Sequence, residues 1–257
     1  VSSSDDTGTS IADAIADLET ALSSLAGTPE SDILANVVVD AITTLTSQLR
    51  QTSQQIQGLR EDADAGIADS VNSINESLQT IDDLNDQIVS ATARGLSTAD
   101  LEDQRNSALQ SLAENIDISY YVTSNGAMRI ATATGTSLLD SSVHELSYDP
   151  AATVTADTVF DGIYVDGTDI TSTLSGGTIG ALIEQRDDIL PEVQDELDAL
   201  ATGLIDALNT ADNAGTTLPA PETLTGTVSV DSSDTFSATG TARIALVDDD
   251  GNLASYA

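Results

Sequence analysis

PESDILANVVVDAITTLTSQLRQTSQQIQGLREDADAGIADSVNSINESLQTIDDLNDQIVSATA, residues 29–93, is the stretch that decides the fold. It has no proline after its first residue, and its only glycines are Gly58 and Gly66. Val38, Ile42, Leu45, Leu49, Thr52, Ile56, Leu59 and Ala63 recur at alternating steps of four and three, which a helix places along one stripe. The next two steps, to Ile67 and Val71, are both four, and Ile74, Leu78, Ile81, Asn85 and Ile88 then resume the heptad rhythm. An added four-residue step is a stutter, which locally unwinds a supercoil. A helix of this length would extend about 95 Å at 1.5 Å per residue. Such a rod points to assembly or spacing rather than to catalysis.

Outward from this helix, residues 1–10 read as a linker, and Ile11, Ile15, Leu18, Leu22 and Leu25 form a short helix that Gly27 ends. Thr28 and Pro29 are expected to serve as N-cap and first residue of the long helix, which should stop near Gly95. Ser97, three residues before Asp100, predicts the start of a third helix that turns Leu101, Ala108, Leu112 and Ile116 inward. From Ile118 the period falls to two: Ile118, Tyr120 and Val122 are followed by Asn125-Gly126, a type I′ turn signal, and by Met128 and Ile130. Short strands are expected over 143–148, 153–160 and 162–170. Gly176-Gly177 turns the chain into a second helical seam through Leu182, Arg186, Ile189, Val193, Leu197, Leu200, Leu204 and Leu208. Pro191 lies inside it and predicts a kink near Leu190, in one bent helix without a change of phase. Residues 211–225 read as a loop and 228–256 as further strands. The fold class is α+β, an elongated long-helix bundle or rod. The expected division is a rod of 1–117 plus 177–215, a β-rich insertion of 118–176, and the start of a second β-rich segment at 216–257.

Composition excludes much chemistry. Forty-three acidic residues against seven basic ones give a formal charge of -36, and all seven basic residues are arginine. Nucleic acid and anionic membranes should be repelled, so neither is an expected partner. No lysine means no P-loop or Schiff base, and no cysteine means no thiolate nucleophile or thiolate metal site. Aromatic residues make up 3% of the chain, so the core must come from Ala, Leu, Ile and Val. No run approaches 18 apolar residues, and residues 1–10 carry no signal-peptide pattern. The chain begins at Val1 and stops in a strand-like pattern, and is expected to be an excised fragment.

No cofactor, metal or catalytic residue is expected. His144, the single histidine, falls in a predicted strand and reads as structural. Asp248, Asp250 and Asn252 have the opening spacing of a calcium loop, but Leu253 stands where the glycine is required. Gly176, Gly177 and Gly180 do not fit a dinucleotide-binding turn. Glu61, Asp62, Asp64, Asp82, Asp83 and Asp86 are expected off the seam and solvated, without the desolvation a general acid needs. Asn72, Asn75 and Asn85 lie on or beside the seam, where polar residues set register at a cost in stability, so Asn75→Leu is expected to raise stability while scrambling assembly.

Several phrases resemble the bacterial flagellar hook-associated protein 1 family: LSSLAGTP (22–29), LREDAD (59–64), VNSIN (71–75), IDDLNDQI (81–88), DLEDQR (100–105) with Leu109 and Leu112, Asn125-Gly126, and the return helix from Gly176-Gly177 through Arg186 to Leu200, Ala201 and Asn209. The likeness covers approximately 11–213; it departs at Asp212, where the family usually has His. It implies a non-enzymatic component of the extracellular flagellum that joins hook to filament and is exported by the flagellar type III apparatus. The implied partners are the hook protein, the second hook-associated protein and an export chaperone acting through a missing terminus. The resemblance further implies a homo-oligomeric ring in the assembled flagellum, with a monomeric fragment once the ends are removed. Leu59, Ile67, Val71, Ile74, Asn75, Leu78, Ile81, Asn85 and Ile88 are the expected packing and assembly residues. The rival readings are an adhesin or binding module on a coiled-coil stalk and an acidic hydrolase, which would need a buried carboxylate pair.

Overall fold

A computed structural model describes residues 10–214, 245–247 and 253–256. Helix α1 spans Ile11–Gly27 and opens with a capping box, in which the Ser10 hydroxyl accepts from the Asp13 N–H while the Asp13 carboxylate accepts from the Ser10 N–H. The long helix α2 runs Asp32–Ala93. It begins three residues later than Thr28-Pro29 predicts: the Ser31 N–H donates to the Thr28 carbonyl in a tight turn with Pro29 inside it, and the Ser31 hydroxyl accepts from the Leu34 N–H. Proline suits the second position of such a turn as well as the first of a helix, and the hydroxyl three residues before Leu34 decides between them. At the other end, Gly95 (φ 69°) donates to Thr92 and Leu96 to Ala91, a Schellman closure that stops α2 where expected. Helix α3, Ala99–Asn115, is preceded by Thr98 rather than by Ser97.

The chain divides into two compact units, Val1–Leu49 with Ala199–Ala257, and Arg50–Asp198. In the first, Ala14, Leu18 and Ala21 of α1 are buried against Val38 and Leu45 of α2, with Leu204 and Leu208 packed alongside. Ile42 of the predicted seam is exposed.

In the second unit, the continuous core joins Ile67, Val71, Ile74, Leu78 and Ile81 of α2 to Leu109, Leu112 and Ile116 and to the sheets. Strands β1 (Ile118–Val122), β2 (Met128–Thr132) and β3 (Ser137–Leu139) form an antiparallel sheet in that order. The expected hairpin is present, but its turn differs. The Thr123 N–H donates to Ala127 and the Gly126 N–H to Thr123, closing a three-residue loop in which Gly126 (φ 91°) alone takes positive φ, so Asn125 does not adopt the type I′ geometry. Strands β4 (Leu146–Ser147), β5 (Tyr164–Val165) and β6 (Thr168–Asp169) make a second antiparallel sheet, with Asp166 (φ 49°) and Gly167 (φ 77°) as the two-residue β5–β6 turn. Residues 153–160 form no strand. Val159, at 92% exposure, has no apolar surface to cover it.

Helix α4 (Gly177–Glu184) leads through one π-helical turn, Gln185–Ile189, into α5 (Leu190–Ala214). Gly177 (φ 69°) is pressed so close to the end of α3 that a Cβ would stand 2.5 Å from the Asn115 carbonyl carbon. The π turn replaces the predicted proline kink and shifts the inward positions by one residue through Gln194, after which Leu197 lies inward as predicted. Pro191 has no N–H, and its ring crowds the carbonyl four residues back; widening that turn removes the clash and inserts one residue into the helical count. Beyond it the inward positions are Leu190, Gln194 and Leu197, whereas Ile189, Val193 and Leu200 of the predicted seam are exposed. Strands β7 (Ala245–Val247) and β8 (Leu253–Tyr256) pair antiparallel. The other residues of 216–257, and the 248–252 acidic loop, lie outside the described residues.

Candidate functional site

The arginines that the apolar pattern passes over organise the second unit. On α2, one turn before the change of period, the inward position after Ile56 is Arg60, 6% exposed, while Leu59 of the predicted seam is 46% exposed; Ala63 and Ile67 beyond it are buried as the seam predicts. Four residues on, Asp64 is 2% exposed and paired with Arg186, itself 1% exposed, at 2.9 Å. Asp64 is therefore not among the solvated carboxylates. One of its oxygens accepts from Arg186 and from the Tyr148 hydroxyl, and the other from the Ala151 N–H at 2.8 Å. Arg186 sits in the π turn, where the widened backbone carries its side chain inward; its Nε and Nη2 donate to the two oxygens of Asp187. Its guanidinium lies 4.2 Å from the Phe160 ring centroid. Burial lowers the Arg186 pKa, but Asp187 and Asp64 outweigh it and hold the group above its ordinary value. Burial and the bond to Asp64 push the Tyr148 hydroxyl well above the phenol range. The cluster thus holds a charged pair and a neutral phenol, tying α2, the β4 region and the return helix together within this unit.

Two asparagines of α2 perform a second task. Asn75 donates to the Leu146 carbonyl at 2.8 Å and accepts from the Leu146 N–H at 2.9 Å, occupying the open edge of β4 as another strand would. Asn85 does the same to Met128 of β2, at 2.9 and 2.8 Å, and its oxygen also accepts from Arg105, which reaches on to the Gly126 carbonyl. An amide carries the donor and acceptor that a strand residue needs, and no aliphatic side chain can replace both. With these bonds in place Asn75→Leu is expected to cost about 1–3 kcal/mol rather than to raise stability, because it leaves two partly buried backbone groups unpaired. Chemical unfolding of the variant checks this.

The remaining acids behave as expected of a helix face: Glu61, Asp62, Asp83 and Asp86 are exposed. Asp82 is half-buried, and burial followed by repulsion from Asp86 and Asp83 raises its pKa. Among the described residues no group of histidines and carboxylates could hold a metal ion, and no helix is long and apolar enough to cross a membrane.

His144 lies between two carboxylates, with Nδ1 2.6 Å from Asp166 and Nε2 3.3 Å from Asp140. It therefore spans the loop after β3 and the β5–β6 turn. Burial lowers its pKa, but the bonds to Asp166 and Asp140 outweigh this and raise it. Asp140 is held down at about 2 by the Ser141 N–H and then by His144. A raised histidine contributes its stability fully below the unfolded value near 6.5 and loses it as pH rises through the folded value. The thermal midpoint advantage of the unmodified chain over His144→Gln should accordingly be largest below about pH 6.5 and shrink as pH is raised above that value. An advantage independent of pH would contradict the two-carboxylate tie.

The sequence model of the family described as "Flagellar hook-associated protein FlgK helical domain" matches residues 2–226, most of the chain. The chain belongs to this FlgK helical-domain family. Flagellar hook-associated protein 1 of Escherichia coli is 28% identical over 219 residues, covering 80% of this chain and 39% of that protein. The Salmonella typhimurium protein of the same name is 26% identical over 220 residues, covering 82% and 39%. The chain thus spans about 39% of the length of these relatives. A solved structure described as the flagellar hook junction protein FlgK from Burkholderia pseudomallei superposes with a TM-score of 0.62 at 25% identity, over 75% of this chain and 36% of that one. The α+β fold of a long helix, return helix and small antiparallel sheets is therefore a FlgK-type fold.

Within this FlgK-type chain, Ile67, Val71, Ile74, Leu78, Ile81, Asn85 and Ile88 are buried among the chain's own elements, Asn75 is half-buried against β4, and Leu59 is exposed. Arg60, Tyr148 and Arg105 are not among the sequence candidates for the site, and Asp64 is there expected to be solvated. The available signal was an arginine on an apolar seam: Arg186 lies on the predicted return-helix stripe, and a buried guanidinium requires a buried acceptor.

Proposed function

We propose that this chain is the structural core of a hook-filament junction protein: a non-enzymatic, extracellular component of the bacterial flagellum that joins hook to filament. The observation that carries the reading is the family match across 2–226, supported by the fold likeness to a FlgK structure. The absence of lysine and cysteine, and the use of the buried acid-base groups in packing, agree with a scaffold. The partners that follow are the hook protein, the second hook-associated protein and an export chaperone, with further copies of the same protein in a ring and export through the flagellar type III apparatus. The rod of 1–117 plus 177–215 is its assembling part and 118–176 its β-rich insertion. Of the nine seam residues, Leu59 is the one we assign to contacts with a neighbouring molecule, because it alone presents an exposed apolar side chain; the other eight act by keeping the surrounding surfaces in place.

A chimera tests the function. Residues 11–214 of this chain replace the matching segment of the E. coli relative, and cells are scored for filaments anchored on hooks. Anchored filaments are expected. A chimera that is stable and exported yet leaves hooks bare would reject the reading.

A further inference from the structure

Beside Arg60 lies an open cavity of about 360 Å³, within the range of small-ligand sites, floored by Phe160 and edged by Val159, Asp161, Asp169 and Asp187. Arg60 differs from Arg186 in what it lacks. Its Nε donates to the Arg186 carbonyl at 3.3 Å, and its Nη1 to Gln57, Thr155 and Ala156 oxygens at 3.1, 3.1 and 3.4 Å. All four acceptors are neutral, and among the described residues Nη2 has no hydrogen-bond partner and the guanidinium no carboxylate within ion-pair distance. A buried cation left in this state gains strongly from an anionic ligand. Arg105 is also held by neutral oxygens, but it does not line this cavity.

The opposite lip carries the reverse charge. One oxygen of Asp169 accepts from the Thr171 N–H and hydroxyl, which hold its pKa down, and one oxygen of Asp161 accepts from the Gly162 N–H and Tyr164 hydroxyl. The second oxygen of each has no hydrogen-bond partner among the described residues. Both oxygens of Asp187 already accept from Arg186. A simple anion would meet Arg60 but face Asp161 and Asp169, and a simple cation would meet the reverse conflict. We propose that this cavity is a binding site for a small zwitterion of the amino-acid type, its carboxylate on Arg60 Nη2 and its ammonium toward Asp161 and Asp169. The site stands apart from the junction reading and does not depend on it.

The test is nuclear magnetic resonance titration of the 257-residue chain with β-alanine, using acetate and methylammonium as single-charge probes. β-Alanine should shift the Arg60 Nε–H and Phe160 ring signals saturably, with each half-ligand at least about tenfold weaker. Arg60→Gln should abolish the shift. The double variant Asp161→Asn with Asp169→Asn, on the exposed lip, should reverse the preference: acetate gains affinity and β-alanine loses it. Absence of a saturable shift, acetate matching β-alanine on the unmodified chain, or binding that survives Arg60→Gln would overturn the site. If Arg60→Gln does not fold, the lip variant decides, since an unchanged preference there is equally fatal.

Discussion

Replacing Arg186 with methionine is expected to destabilise the Arg50–Asp198 unit by about 3–5 kcal/mol, because removing one partner of a buried ion pair strands the other. Asp64 would keep its Tyr148 and Ala151 donors but lose the only cation within ion-pair distance of it among the described residues, at 2% exposure. That loss is a large share of the 5–15 kcal/mol by which domains are ordinarily stable. The size of the effect says little about the net worth of the pair. Replacing both members, Arg186→Met with Asp64→Leu, should recover only part of the loss, because it removes the stranded charge but leaves the Ala151 N–H and the Tyr148 hydroxyl without their acceptor. Urea unfolding of the two single variants and the double yields the coupling. Single variants that unfold at the unmodified midpoint would remove the pair from the account.

Asn85→Leu is the second large effect, about 3–6 kcal/mol. It leaves the N–H and C=O of Met128 buried and unpaired, each at about 1–3 kcal/mol, and takes an acceptor from Arg105, whose guanidinium has burial already pushing its pKa down. Asn85→Asp separates these contributions, for it keeps an acceptor for the Met128 N–H and for Arg105 while losing the donor to the Met128 carbonyl. Its loss should be clearly smaller than that of Asn85→Leu. Hydrogen exchange at the Met128 amide is the local readout, with protection falling most in the leucine variant.

Both effects arise at positions where an apolar-periodicity reading is weakest. The long helix, α1, α3, the β1–β2 hairpin and the glycine-led return helix are legible because their apolar periods, turn residues and caps agree. The seam from Ile67 to Ile88 was legible for the same reason, and those side chains do form the core or its margin. What was not legible came from single residues that outvote the pattern. Arg60 takes the inward place in preference to Leu59, and a count of apolar residues on the long helix does not register an arginine. Asp64 reads like its exposed neighbours because its partner lies 122 residues away in sequence. Around Pro191 the pattern reads as a simple bend, whereas a π turn absorbs the proline and moves the inward positions from Ile189 and Val193 to Leu190 and Gln194, the predicted stripe being regained at Leu197. Asn75 and Asn85 stand out as polar residues on the seam, but their partners are strand backbone within the chain, which side-chain patterning cannot reveal.

The most direct test of the junction role is the position of the protein in the cell. The full-length protein containing this chain, tagged in the β5–β6 turn at the exposed Gly167 and imaged by immunogold electron microscopy on isolated flagella, should give a single cluster between hook and filament. Label spread along the filament, or confined to the cell surface away from flagella, would contradict it.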